Sequence, residues 1–247
     1  MSNRYVEKRA AWELISALHN DRAKTQCPLG IIDTVIIDGD GAPSKWLFTG
    51  KSGTIVKKKS IQENAIKERF RKVARMSPAN TKDWICILRY EDGTFKLLDN
   101  TAFGTLMTTG FPPKEPGVSA VQAYVQSKGS QGTVYRNTYT VANDKGKVLT
   151  TTSSFWTLPR EELSALQGVL TVGPKDLPAR TTRSTNRRLN EALDAATRTL
   201  VRQAEAAGRF RVLSVAVDYV VDEGSQLWVA WASDAQVAVG RAALDLR

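Results

Sequence analysis

Hydrophobic and polar positions along this chain follow two periods, and each predicts its own kind of element. Tyr5, Trp12, Ile15 and Leu18 fall near one helical face, which predicts a helix over about residues 3–19. The run LGIIDTVII at 29–37 reads as a strand, and Trp46-Leu47-Phe48 as a shorter one. Ser60-Ile61-Gln62-Glu63 matches a capping box and predicts a helix that reaches about Met76, where Ser77-Pro78 ends it. Ile61, Ala65, Ile66, Phe70 and Val73 form its apolar side; Lys67, Arg69, Arg71, Lys72 and Arg75 form the other. Residues 84–90 and 94–98 flank Glu91-Asp92-Gly93, a hairpin signal.

The second half repeats that device. Residues 133–142 and 147–155 flank Asn143-Asp144-Lys145-Gly146, and 211–221 and 226–232 flank Asp222-Glu223-Gly224-Ser225. Pro159 fits the first position of a helix, PREELSALQGVL. A longer helix is predicted over 184–207, stopped by Gly208, and a short one over 235–246. Hairpins mixed with helices predict an α+β fold, with antiparallel β-hairpins packed against several helices. Pro112, Pro113 and Pro116 predict a linker at 111–117 between two subdomains, 1–110 and 118–247.

Composition narrows the function classes. The formal net charge is +10, from 35 Lys and Arg against 25 Asp and Glu, which points to an anionic partner. One histidine and two cysteines leave few of the usual general bases, nucleophiles and metal ligands. The reading is therefore of no catalytic residue, no cofactor and no metal. Cys27 and Cys86 make no disulfide framework and read as small buried hydrophobes of a reducing compartment. Charges interrupt any apolar core of a signal peptide, and no apolar run approaches the ~18 residues of a membrane span, so a soluble, cytoplasmic protein is expected.

The local motifs fail on spacing. Gly50-Lys51-Ser52 looks like the end of a P-loop, but Lys45 stands where the required earlier glycine belongs. Asp38-Gly39-Asp40-Gly41 hints at calcium, but the twelfth position holds Thr49 rather than the closing glutamate. A tight turn explains it better. His19 closes the first predicted helix, where a cation suits the helix dipole.

The basic residues form two stretches. Lys57, Lys58 and Lys59 run into the helix bearing Lys67, Arg71, Lys72 and Arg75. Arg180, Arg183, Arg187 and Arg188 enter the long helix. Guanidinium groups bind phosphate and carboxylate bidentately, so both stretches are candidate contacts for acidic protein surfaces or for RNA. Tyr124, Tyr135 and Tyr139 are candidate stacking platforms for RNA bases. Trp156, Trp228 and Trp231 read as core residues or as an interface anchor.

Two family resemblances bear on function. Val215 to Asp222, followed by Leu227-Trp228-Val229, resembles the terminal hairpin of ATP-grasp ligases, including the tubulin tyrosine ligase-like enzymes. In that family a strand Asp and a following Glu-x-Asn hold the magnesium ions that bridge ATP. Asp218 matches the first, but the second strand reads Trp228-Val229-Ala230-Trp231-Ala232-Ser233-Asp234 and has no Glu-x-Asn. The Ala-rich, Arg-rich residues 184–247 and the stretch 122–139 look like small flagella-associated proteins of the ciliary axoneme, which are structural parts or adaptors. The leading expectation is thus a non-enzymatic structural or adaptor protein of a large cytoskeletal assembly, an axoneme with tubulin or microtubules as partner. An RNA-associated component of a ribonucleoprotein is the alternative. A degenerate ATP-grasp-like nucleotide-binding protein is the third reading.

Overall fold

In the first of two sheets, β1 (Val6–Arg9), β14 (Leu227–Val239), β13 (Phe210–Val221), β9 (Val134–Ala142), β10 (Lys147–Phe155) and β12 (Thr182–Arg183) lie side by side. The two-residue β2 (Gly30–Ile31) pairs with β14 in parallel; the other pairings are antiparallel. The second sheet runs β11 (Thr171–Val172), β7 (Phe95–Asp99), β6 (Trp84–Tyr90), β8 (Val118–Ala123), β3 (Thr34–Ile37), β4 (Pro43–Thr49) and β5 (Ile55–Lys58). The computed structural model describes residues 6–9, 11–17, 19, 29–51, 53–58, 61–76, 83–92, 94–128, 133–142, 147–155, 171–172, 182–208 and 210–239. The fold is α+β, as the hairpin and helix patterning predicts.

Helices cover one face of each sheet. On α4 (Arg187–Gly208), Leu193, Ala196, Thr197, Leu200, Val201 and Ala204 are buried, the i, i+3, i+4, i+7 stripe of an amphipathic helix. That stripe packs on Val215, Val217 and Tyr219 of β13 and on Tyr139 of β9, with Leu14 and Ile15 of α1 (Ala11–Ala17) in the same core. Asn137 is wholly buried under α4 and donates to both Thr152 Oγ1 and Asp194 Oδ1 at 2.7 Å. Gly208 ends α4 against the Phe210 ring, where a Cβ would sit 1.8 Å from an aromatic carbon. Only glycine permits that close approach.

The second sheet is covered by α2 (Glu63–Arg75) and α3 (Asn100–Thr109). Ile66, Phe70 and Ala74 of α2 are buried at intervals of four, and Phe70 stacks on Phe103 of α3 with ring centroids 6.0 Å apart. Burying each of the two larger side chains is worth roughly 1.5–3 kcal/mol. Asp99 caps α3 by accepting from the Ala102 amide at 2.7 Å.

Several elements depart from the expected ones. The N-terminal helix is shorter, because β1 takes residues 6–9 as an edge strand on β14. The strand expected at 29–37 is split at Ile32-Asp33, so that β2 joins one sheet and β3 the other. The capping box is not used: α2 starts at Glu63 behind Gln62, which makes no side-chain cap. Helix α3 escapes the periodicity because its four threonines and Gly104 dilute a stripe of only Phe103 and Met107. The helix expected over 235–246 is strand as far as Val239, continuing β14. The helix expected after Pro159 lies outside the described residues.

The expected linker is a packed connection. Phe111 and Pro113 are buried, and Glu115 accepts from Tyr90 Oη and from Lys96 Nζ at 2.9 Å. Strand β8, directly after it, pairs with β6 and β3, so the division between the sheets does not fall at 111–117.

Candidate functional site

Side chains on β13 alternate between the α4 core and the opposite face. Val217 and Tyr219 face α4, so Asp218 between them faces away from it. Cross-strand partners share a face. Asp218 is opposite Arg136 of β9 on one side and Trp231 of β14 on the other, so these three side chains share the helix-free face of the first sheet. Arg136 grips Asp218 with both arms of its guanidinium, Nε to Oδ1 at 2.8 Å and Nη2 to Oδ2 at 3.0 Å. That bond, with the field of Asp218, holds the Arg136 guanidinium above its ordinary pKa; the exposed Asp234 adds to it.

The second sheet contributes Arg89, Gln122 and Thr34. They lie on its helix-free face, since Leu88, Val121 and Val35 occupy the α2–α3 core. The Arg89 guanidinium lies 4.7 Å from the Trp231 ring centroid and donates through Nε to Gln122 Oε1 at 2.9 Å. Gln122 in turn donates to Thr34 Oγ1 at 2.8 Å and to the Ala230 carbonyl at 2.6 Å, tying one sheet to the other. Burial lowers the pKa of Arg89 to about 10, which leaves it charged at neutral pH. This seam therefore holds two guanidinium groups and one carboxylate out of bulk water.

No protein-family model matches the chain, and no curated protein matches it in sequence. Among solved structures it is similar to D-cycloserine synthetase, at 12% identity over 92% of this chain and 61% of that one, with a TM-score of 0.46. It is similar to D-alanyl-alanine synthetase A from Vibrio cholerae, at 8% identity over 83% of this chain and 50% of that one, with a TM-score of 0.42. A third is N5-carboxyaminoimidazole synthase from Aspergillus clavatus, in complex with ADP and 5-aminoimidazole ribonucleotide: 9% identity, 92% of this chain, 46% of that one, TM-score 0.41. These three are ATP-grasp enzymes, and the chain spans about half to three fifths of their lengths. Likeness at this level assigns no ligand or reaction to the chain.

It does correct the leading expectation. These neighbours are synthetases, and none is cytoskeletal or ciliary; the axonemal adaptor, with its tubulin or microtubule partner and ciliary location, is set aside. The expectation of a non-enzyme is likewise unsupported: the neighbours are synthetases, a likeness of fold that assigns no activity to this chain. The RNA alternative loses its platform: Tyr139 is buried under α4, Tyr135 packs half-buried against the same core, and the Tyr124 hydroxyl is tied to Gln126 at 2.7 Å. No helix among the described residues is long and apolar enough to cross a membrane.

The structure separates the basic residues expected to act together. Lys57 and Lys58 lie on strand β5 and alternate, so they point to opposite faces. Lys58 joins Lys72 and Arg69 beside Trp46 and Phe48. Lys67 and Arg71 are half-buried, with Arg71 against α3 near Gly104, while Arg75 is exposed. Arg183 and Arg188 are exposed at β12 and the start of α4, and Arg187 pairs with Glu191 at 2.9 Å. Lys59, Arg180 and Trp156 lie outside the described residues. Trp228 donates to Asp222 at 2.8 Å and closes the β13–β14 turn. His19 Nδ1 lies 3.1 Å from the Ile55 carbonyl oxygen, which ties the end of α1 to β5. Asp38 accepts from the amides of Asp40 and Ala42, the chemistry of a tight turn. Cys86 is a free, buried thiol whose pKa burial pushes up.

Sequence reasoning singled out Asp218 and Trp231 but missed Arg89, Gln122 and Arg136. The available signal was a charged or amide residue inside otherwise apolar strands, Arg89 in WICILRY and Gln122 in VSAVQA.

Proposed function

We propose that this chain is an ATP-grasp-like nucleotide-binding protein that takes the phosphates of its ligand at the seam around Arg136, Arg89 and Asp218. The observation that carries this is the charge balance of the seam. Buried charges are costly unless paired, and here Arg89, with an amide and an aromatic ring beside it, brings a second guanidinium near the Arg136–Asp218 pair. A phosphate oxygen beside Arg136, whose side chain is 30% exposed, is attracted by both guanidinium groups. The hairpin resemblance, with Asp218 at the strand position of the first metal ligand, favours a nucleotide over other anions.

The donor set does not fit the magnesium pair of that family. Both carboxylate oxygens of Asp218 are engaged by Arg136, and the residue opposite on β14 is Trp231. Among the described residues no group of three acidic, His or Cys side chains could hold a metal ion. The work of neutralising phosphate thus falls to the two arginines, with Trp231 and Gln122 holding Arg89 in place.

Thermal unfolding with and without ATP tests this reading, because a ligand that binds only the folded state raises the melting temperature. ATP is expected to stabilise the wild-type chain in EDTA as well as in magnesium. Asp218→Asn, which removes the competing carboxylate, should keep or increase that stabilisation, and Arg136→Gln should abolish it. Absence of stabilisation in the wild type, or its loss in Asp218→Asn alone, overturns the proposal.

A further inference from the structure

A cleft on the other side of the second sheet has its own chemistry. It is lined by Trp46, Phe48, Lys58, Ala65, Glu68, Arg69 and Lys72, with a volume of about 360 Å³. That is within the ~300–1,000 Å³ of small-molecule sites. Trp46 and Phe48 are on β4, Lys58 is opposite Trp46 on β5, and the rest line α2. The aromatic rings form one wall, 5.7 Å apart and tilted by 49°. Lys58 Nζ stands 4.3 Å from the Trp46 ring centroid, and the Arg69 guanidinium 5.7 Å from that of Phe48.

The charges at the cleft do not balance. Arg69 is bonded to the buried Asp33 behind the wall, through Nε to Oδ2 and through Nη2 to Oδ1 at 3.3 Å. The field of Lys58 also reaches Asp33. Against Asp33 and Glu68 stand Arg69, Lys58 and Lys72, an excess of one positive charge. Among the described residues neither Lys58 nor Lys72 has an ion-pair partner. The indole N–H of Trp46 is buried and unbonded, although Trp46 is only 2% exposed. A buried donor of that kind normally has an acceptor.

We infer that this cleft is a second binding site, for a small phosphomonoester with a flat unsaturated body. The flat body lies against Phe48, the half-buried ring of that wall. The phosphate sits between Lys58 and Lys72. Arg69, held by Asp33, keeps the aromatic wall in place and adds a fixed positive field. This site lies on the helix-covered face of the second sheet, away from the seam, and does not rest on the nucleotide reading.

The test is a calorimetric titration of the full chain with phenyl phosphate, with inorganic phosphate as the comparison. Phenyl phosphate should bind at least about tenfold more tightly than inorganic phosphate, since the aromatic wall engages only the former. Lys58→Met keeps the stem over Trp46 while removing the charge, and Lys72→Ala truncates an exposed side chain, so both variants should fold. Each should weaken phenyl phosphate about tenfold, and Arg136→Gln should leave it unchanged. Failure of phenyl phosphate to bind, or binding by Lys58→Met and Lys72→Ala as tight as by the wild type, overturns the inference. Loss in Arg136→Gln alone also overturns it and assigns the binding to the seam, whereas failure of ATP to protect the wild type bears on the seam only.

Discussion

The seam and the cleft are both built around an arginine gripping a buried aspartate, and they differ in what surrounds that pair. At the seam, Arg136 and Asp218 are both largely out of solvent, and a second arginine, Arg89, is locked behind them by Trp231 and Gln122. At the cleft, Asp33 is buried but Arg69 is 37% exposed, and the extra cations are lysines at the surface. Arg69 and Arg136 are exposed to a similar degree, 37% and 30%, so the difference lies in the second cation. The same pair of side chains is a structural joint in one place and the back wall of an open cleft in the other. Burial of the second cation, rather than the grip of arginine on aspartate, separates the two roles.

Removing each arginine tests that difference most strongly. Arg136→Ala leaves Asp218 buried without its partner and should cost about 3–5 kcal/mol, read from the urea midpoint. Arg69→Ala should cost less, because Asp33, whose pKa burial already raises, is the more readily neutralised by a proton. Equal losses would remove the distinction between the two regions. Gln122→Leu should cost about 2 kcal/mol, since it takes the acceptor from Arg89 and the donor from Ala230 and Thr34 together. A loss near zero would mean that the sheets are not joined through this amide.

A pH series sharpens the cleft side. Burial, partly offset by the bond to Arg69, raises the Asp33 pKa above 3.8. The folded state then holds this proton more tightly than the unfolded state. Its contribution to stability is full in acid and is lost as pH rises through the folded pKa. The stability difference between wild type and Asp33→Asn should therefore decline over the pH range just above 3.8 and then level off. A difference that grows with pH over that range contradicts the assignment. The smallest effect belongs to the 111–117 connection. Glu115 is partly buried, which opposes its charge, but the bonds from Tyr90 and Lys96 outweigh this and hold its pKa low. Glu115→Gln should cost less than about 1 kcal/mol by chemical denaturation, because the pair with Lys96 is solvent-exposed.

Much of the architecture was legible in the chain because local signals suffice for it. The β13–β14 and β6–β7 hairpins follow from alternation around Asp-Gly turns, and α4 from a long apolar stripe with glycine at its end. Asp218 was visible for the same reason: its place between Val217 and Tyr219 puts it on the opposite face. Its partners were not, because Arg89, Gln122 and Arg136 come from three other strands, and only the sheet order brings them together. The basic stretch at 57–75 was legible as charge but not as a site. Strand alternation sends Lys57 away from Lys58, and the aromatic wall and Asp33 come from earlier strands and their connection. The proline-rich segment marks a break of one kind only. Proline ends helices and central strands, which marks a break in secondary structure and not in packing, and Phe111 and Pro113 are buried.

The most direct measurement is a calorimetric titration of ATP into the wild-type chain, Asp218→Asn and Arg136→Gln, all in EDTA. ATP is expected to bind the wild type, to bind Asp218→Asn equally or more tightly, and not to bind Arg136→Gln. No binding to the wild type, or binding that depends on Asp218 and not on Arg136, would contradict the nucleotide reading.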